Sequence, residues 1–128
     1  MPEHVHLVLW VPDTTTIETI LRSVKFPMSR KAIAWTRSHR PGRLESLTER
    51  HRDASLSYHF WKAGGGHDRN LRSVADVHEK IHYIHANPVR RGLVEHPRDW
   101  PWSSWRAWHL GGNEPLRLDK ESLPSLVR

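Results

Sequence analysis

The chain has 128 residues, enough for one domain with a single modest hydrophobic core. Lysine and arginine number 20 against 14 aspartates and glutamates, and the formal charge of +6 favours a polyanionic partner such as nucleic acid. Cysteine is absent, which excludes disulfides, zinc–thiolate sites and thiol nucleophiles, whereas eleven histidines point to metal or acid–base chemistry.

The chain opens on an alternating apolar segment that predicts a strand over residues 4–11. Residues i and i+2 of a strand point to the same face, so His4 and His6 should share one side. Two imidazoles about 6–7 Å apart at the backbone can converge on one divalent cation, and a third ligand must then come from elsewhere. The alternative interpretation is a pair of half-exposed histidines on a strand, which the spacing alone favours.

Apolar residues recur at a helical period from residue 14 to about residue 38, which predicts a long helix. Thr15 and Glu18 fit a capping box at its start, and Pro27 should kink or divide it. The polar side of this helix carries a basic stripe formed by Arg22, Lys25, Arg30, Lys31 and Arg37.

The middle of the chain predicts a loop and then a hairpin. Residues 39–56 are polar and predict a loop with one short helical turn. Residues 58–61 predict a short strand, the glycines at 64–66 a flexible turn, and residues 67–72 the returning strand.

A second helix is predicted from Ser73, with Asp76 in the reach-back position of its cap, to Asn87, where Pro88 should stop it. Beyond this helix come a turn, a short helix and a tryptophan-rich segment with two prolines. The chain from Arg106 onward predicts a weakly structured polar tail.

Two pairs of polar residues on the second helix have the i, i+4 spacing that places side chains on one face. Tyr83 and Asn87 form one pair, and His78 and His82 form the other, which is a rival metal-binding pair. The alternative interpretation takes Tyr83 as a core aromatic and Asn87 as a helix-ending residue. The spacing alone does not decide between these interpretations.

Basic and aromatic residues are scattered through the second half of the chain, a combination that suits single-stranded nucleic acid. A core filled with tryptophan under a solvated arginine face explains the same composition equally well. The residues concerned are Arg69, Arg72, Arg90, Arg91, Arg98 and Arg106, with Trp61, Trp100, Trp102, Trp105 and Trp108.

Four stretches in the same order resemble the REP-associated tyrosine transposases. They are MPEHVHLVLW, FWKAGGGHDRNLRS, YIHANPVRRGLV and DWPWSS, and they extend from Met1 to about Trp105. This family consists of single-tyrosine, insertion-sequence-type transposases of the HUH endonuclease superfamily, named for two histidines around a bulky apolar residue. In this chain the corresponding motif is His4-Val5-His6.

The resemblance implies an α+β fold, in which an antiparallel sheet is flanked by helices in a ferredoxin-like, HUH-type domain. Family members usually carry several tens of residues before the HUH strand, so we expect the first strand and helix of that domain to be missing here. The strand at residues 4–11 would then be an exposed edge that favours a homodimer or aggregation. We expect the transposase domain over residues 1–110 and a polar tail over 111–128.

The resemblance also implies roles for individual residues. Tyr83 falls at the nucleophile position and Asn87 at that of the third metal ligand, beside His4 and His6. Such a site suggests Mg²⁺ or Mn²⁺, and the family cuts and rejoins single-stranded DNA beside hairpin repeats through a 5′-phosphotyrosine link. A water, the metal or His85 are candidates for the general base.

The expected partner is therefore single-stranded or hairpin DNA. A catalytically inactive transposase remnant that only binds nucleic acid is the rival interpretation, and a metal-binding domain using His78 and His82 is the third. No segment predicts a membrane span or a signal peptide, so we expect a cytoplasmic protein without a membrane partner. The candidate phosphate contacts are Lys25, Arg30, Lys31, Arg69, Arg90 and Arg91.

Overall fold

The computed structural model describes residues 1–62, 64, 66–114 and 117–124 and has an α+β fold, as the resemblance implies. The described residues separate into two compact units. The terminal unit combines Met1–Leu9 with the described part of Asn70–Arg128, and the central unit is the described part of Trp10–Arg69. The main elements are α1 (Ile17–His39), β1 (Thr48–Arg50), β2 (Leu56–Tyr58), α2 (Val74–Arg90) and α3 (Trp105–His109).

Helix α1 fills much of the central unit. Thr16 caps it, because its side-chain oxygen accepts a hydrogen bond from the Thr19 amide at 3.2 Å. The cap thus lies one residue after the predicted Thr15. The helix continues through Pro27 to His39, so the proline does not divide it.

The predicted hairpin across the glycines is wrong. Strand β1 pairs with β2 in antiparallel register, Thr48 opposite Tyr58, and no strand occurs in the described residues of 59–72. Residues 58–61 therefore form a strand only at Tyr58. Gly65, in the predicted turn, lies outside the described residues.

The five-residue turn between β1 and β2 explains why the pairing is local. The Asp53 carboxylate accepts hydrogen bonds from the Ser55 amide at 3.0 Å and from the Ser55 hydroxyl at 2.6 Å. The His51 amide donates to the Ser55 carbonyl at 2.9 Å, and Ala54 adopts φ +65°. Aspartate and serine thus close this turn through side-chain hydrogen bonds, which brings β1 and β2 together.

The predicted strand at residues 4–11 is also absent, because this segment forms no strand pairing with any described part of the chain. A strand requires a hydrogen-bonded neighbour, and the sheet of the described residues contains only β1 and β2. The predicted alternation holds from His4 to Leu9, since His4 and His6 are half-buried, and it fails at Trp10, which is 81% exposed. The intervening apolar side chains are exposed, and these are Val5, Leu7 and Leu9.

Helix α2 begins where the sequence predicts and ends later. The Ser73 hydroxyl accepts a hydrogen bond from the Asp76 amide at 3.0 Å, as expected of the cap. Pro88 lies inside the helix, which runs to Arg90, so the predicted end at Asn87 is wrong. Pro88 forgoes one helical hydrogen bond because it has no N–H, but its carbonyl is used in the C-terminal cap.

The C-terminal cap of α2 has the hydrogen bonds of a Schellman motif. The Leu93 amide donates to the Pro88 carbonyl and the Gly92 amide to the Val89 carbonyl, both at 2.9 Å. Gly92 adopts φ +65°, the left-handed conformation that this motif requires. The motif extends the helix past Pro88 and keeps Asn87 within it.

The terminal unit has a small core centred on α2. Ile81 and His85 of α2 are buried, and Ala107 of α3 is 1% exposed. Helix α3 falls in the segment predicted as a weakly structured tail, so that prediction is wrong for residues 106–109. The segment after α3 contacts this helix, since Lys120 Nζ donates a hydrogen bond to the Trp108 carbonyl at 2.8 Å.

The boundary predicted between residues 110 and 111 stays a prediction. Residues 115–116 and 125–128 of the predicted tail lie outside the described residues. No helix in the described part of the chain has the length and apolar character needed to cross a membrane.

Replacing Gly92 by alanine should destabilise the protein by about 1 kcal/mol, because a Cβ disfavours the left-handed backbone that the cap requires. Open space surrounds the new Cβ, so no clash adds to this cost. The free energy of unfolding in urea measures the effect. Gly42→Ala is the matched control, since its added Cβ also meets open space and its φ is not positive. Equal stability of the two variants would contradict the Schellman assignment.

Candidate active site

The two histidines near the start of the chain meet within the terminal unit. The Nε2 atoms of His4 and His6 lie 3.0 Å apart, and their rings pack edge to face with centroids separated by 4.7 Å. The two side chains therefore point the same way, as the i, i+2 spacing predicts, although the segment is not a hydrogen-bonded strand.

Helix α2 brings Asn87 and Tyr83 to the same place. The Asn87 Nδ2 atom lies 2.8 Å from His6 Nε2, and Asn87 is 8% exposed. One helical turn earlier, the Tyr83 ring centroid lies 6.0 Å from that of His6, and Tyr83 is half-exposed. The structure thus unites His4, His6, Tyr83 and Asn87, whose roles remain predictions.

His6 Nε2 has more close polar neighbours than it can satisfy. An imidazole nitrogen carries either one hydrogen or one lone pair in the ring plane, so it forms one good hydrogen bond. His6 Nε2 nevertheless faces both His4 Nε2 and the Asn87 amide within 3.0 Å. His6 Nε2 can therefore form a good hydrogen bond with only one of these two neighbours.

The surroundings favour the neutral form of His6. Partial burial lowers the pKa of His6 below its usual value, and the positive charges of His4, the N-terminus and Lys80 lower it further. A neutral imidazole keeps the lone pair that a metal ligand needs.

Glu3 and Arg91 hold the first segment against the end of α2. The Glu3 carboxylate forms an ion pair with Arg91, and one of its oxygens lies 3.4 Å from His4 Nδ1. That contact favours a proton on His4 Nδ1 and helps to fix the orientation of the ring. No role of Glu3 was predicted from the sequence, although a carboxylate beside a candidate ligand is a signal that could have found it.

Two cations lie near Tyr83. Lys80 Nζ is 4.8 Å and the Arg90 guanidinium carbon 5.4 Å from the centre of the tyrosine ring. Arg90 is a predicted phosphate contact, whereas Lys80 was missed, and its position three residues before Tyr83 is the signal that could have found it.

The remaining predicted phosphate contacts are divided between the units, and Arg91 belongs to the terminal unit. Lys25, Arg30, Lys31 and Arg69 belong to the central unit. Lys25 donates a hydrogen bond to the Gly64 carbonyl at 2.8 Å.

The rival histidine pair receives no support from geometry. His78 Nε2 lies 3.0 Å from the Pro124 carbonyl oxygen, which occupies that nitrogen. Among the described residues, no group of three or more histidines and carboxylates is arranged to hold a metal. The set of His4, His6 and Asn87 differs because its third donor is an amide.

His85, a candidate general base, is part of the core. Its Nε2 atom lies 3.0 Å from the Ser104 hydroxyl, and its ring is close to those of Trp108 and His109. Burial lowers the pKa of His85 to about 4, with smaller effects from His109 and His82. Its Nδ1 atom is buried without a hydrogen-bond partner in the described part of the chain. These contacts assign His85 to packing between α2 and α3.

Comparison with known proteins confirms the resemblance seen in the sequence. A Haemophilus influenzae protein named "Putative REP-associated tyrosine transposase" is 26% identical to the chain, and the match covers 92% of the chain. It covers 66% of that protein, so the chain spans about two thirds of its relative's length. No family model and no solved structure matches the chain.

The burial of His85 should make the free energy of unfolding depend on pH. Its pKa is lower in the folded than in the unfolded protein, so its contribution is present above pH 6.5 and is lost as the pH falls toward 4. Between pH 7 and pH 5 the loss should be roughly 2 kcal/mol. Urea unfolding of the wild type and of His85→Gln at both pH values isolates this effect.

The wild type should lose more stability than His85→Gln over this pH interval, because the other histidines are common to both proteins. An equal loss in the two proteins would show that His85 does not have a lowered pKa.

Proposed function

We propose that the chain is a metal-dependent transposase of the REP-associated tyrosine type, which cleaves and joins single-stranded DNA at hairpin-forming repeats. The observation that carries this proposal is the convergence of Tyr83 with His4, His6 and Asn87 in the terminal unit. The name of the Haemophilus influenzae relative supports a transposase in particular.

The donor set fits a divalent cation. Neighbouring ligands around an octahedral ion with bonds of about 2.1 Å lie roughly 3.0 Å apart. The separations of His6 Nε2 from His4 Nε2 and from the Asn87 amide, 3.0 and 2.8 Å, are close to this value. Amide oxygen and nitrogen are interchangeable by rotation, so Asn87 can offer its oxygen. An amide oxygen suits both Mg²⁺ and Mn²⁺, and of these two ions the pair of imidazoles favours Mn²⁺.

The proposed reaction transfers a phosphoryl group to Tyr83. The tyrosine oxygen attacks phosphorus and loses its proton, the bond from phosphorus to the 3′ oxygen breaks, and that oxygen leaves as a 3′-hydroxyl. The product is a 5′-phosphotyrosine link, and attack by another 3′-hydroxyl reverses the step and joins strands. A bound cation would offset the charge that develops on the phosphate oxygens.

Lys80 and Arg90 support this role for Tyr83. Both cations lie over its ring, so a phosphate that approaches the tyrosine oxygen meets positive charge. Arginine can donate two parallel hydrogen bonds to a phosphate, which would help to orient it for in-line attack.

The proposal includes several features that accompany the function. These are a ferredoxin-like HUH arrangement, a cytoplasmic location and DNA as the partner. A homodimer would follow if the segment that exposes Val5, Leu7 and Leu9 pairs with the same segment of a second copy.

Incubation with a labelled hairpin oligonucleotide and Mn²⁺ should give a covalent protein–DNA adduct. Tyr83→Phe should abolish the adduct because it removes the attacking oxygen, and His4→Ala should abolish it because it removes a ligand. Denaturing electrophoresis measures the product. His78→Ala is the control and should retain the adduct. Binding of the oligonucleotide without an adduct would contradict the proposed enzymatic activity and favour an inactive remnant that only binds nucleic acid.

Glu3→Gln should weaken Mn²⁺ binding about 10-fold to 100-fold, because it removes the carboxylate that orients His4 and pairs with Arg91. Titration calorimetry with Mn²⁺ alone measures the dissociation constant. Glu95→Gln, an exposed substitution in the same unit, is the matched control. Equal affinity of the two variants would show that Glu3 does not position His4.

A further inference from the structure

An open groove crosses the central unit between α1 and the segment that follows β2. We name it the aromatic groove. Its wall on α1 presents Arg22, Phe26 and Arg30, which follow one another at intervals of four residues and therefore share one helix face. Its second wall presents Tyr58, Phe60 and Lys62.

Specific contacts hold the two walls together. The Trp61 indole N–H donates to the Lys25 carbonyl at 3.1 Å, and Lys25 Nζ donates to the Gly64 carbonyl at 2.8 Å. Lys25 Nζ also lies 6.0 Å from the centre of the Trp61 ring. These contacts tie the segment after β2 to the backbone and side chains of α1, so both walls belong to one defined site.

Aromatic rings are exposed in this groove. Phe26 is 61% and Phe60 42% exposed, so two phenyl rings present large apolar surfaces to solvent. Such rings contribute little to a core, but they offer planar surfaces on which a flat ligand can stack.

The charge of the groove is positive on both walls. The side chains of Arg22, Arg30 and Lys62 form no hydrogen bond or ion pair within the described part of the chain. The described residues that line the groove include no carboxylate. The lining therefore combines stacking surfaces with cations that have no internal partner.

We propose that the aromatic groove binds single-stranded nucleic acid, with bases stacked on Phe26 and Phe60 and phosphates paired with Arg22, Arg30 and Lys62. This deepens the proposed function, on which it rests for its choice of DNA, by adding a site for unpaired nucleotides outside the terminal unit. Base faces are accessible in a single strand and covered in a duplex, so the exposed rings select unpaired nucleotides. An acidic peptide without apolar or aromatic residues would pair with the cations but leave both rings unused.

Fluorescence anisotropy with a labelled oligothymidine of twelve nucleotides tests the rings. The assay contains EDTA and no hairpin, so it does not depend on metal or on an adduct with Tyr83. Phe26→Leu and Phe60→Leu should each weaken binding about tenfold, because leucine keeps an apolar side chain but cannot stack. Trp35→Leu is the matched control, since Trp35 is another exposed aromatic of α1 outside the groove. It should bind as the wild type does.

The salt dependence of the same binding tests the cations. Arg30→Gln should reduce the slope of log affinity against log salt by about 0.7, the value for one phosphate contact on a single strand. Arg52→Gln removes a positive charge from the β1–β2 turn, outside the groove, and should leave the slope unchanged. Circular dichroism of each variant shows whether it is folded like the wild type.

Two results would overturn the proposal. Wild-type affinity of both Phe26→Leu and Phe60→Leu would show that the rings do not stack on bases. Displacement of the oligonucleotide by polyglutamate at equal charge concentration would instead identify an acidic partner. If the wild type binds oligothymidine but forms no adduct with the hairpin oligonucleotide, only the proposed reaction is contradicted. If it forms the adduct but does not bind oligothymidine, only the proposed groove is contradicted.

Discussion

The contact between the Asn87 amide and His6 Nε2, at 2.8 Å, is the interaction on which the candidate site depends. It joins two segments of the terminal unit that are separated by 81 positions in the sequence. Asn87 can make it because the Schellman cap extends α2 beyond Pro88 and keeps the amide in a buried turn of the helix. The ion pair of Glu3 with Arg91 joins the same two segments a few residues away.

Local periodicity explains which parts of the site the sequence could predict. The pairs His4 with His6 and Tyr83 with Asn87 follow from repeats of two and of 3.6 residues, which are properties of the backbone alone. That the two pairs meet each other was available only from the family resemblance. Glu3 and Lys80 were missed because their contribution depends on distances to His4 and Tyr83 that spacing does not provide.

The wrong predictions concern features that depend on hydrogen bonds between particular residues. The sequence suggested a hairpin across the glycines, but Asp53 and Ser55 close a turn that pairs β1 with β2 instead. Pro88 suggested a helix end, but its carbonyl accepts from Leu93 and is part of the cap. Short elements such as α3 depend on the burial of single residues, here Ala107. The sequence pattern of a polar segment does not show which residue will be buried.

The histidines of the terminal unit illustrate how one residue type serves two purposes. Burial against α3 lowers the pKa of His85 to about 4, while partial burial lowers the pKa of His6, which lies in a half-buried cluster with His4 and Asn87. The central claim is that this cluster binds one divalent cation. Electron paramagnetic resonance of bound Mn²⁺, with ¹⁵N-labelled histidine, tests it most directly. We expect coupling to two histidine nitrogens, reduced to one in His4→Ala and in His6→Ala; a fully hydrated Mn²⁺ spectrum without histidine coupling would contradict the claim.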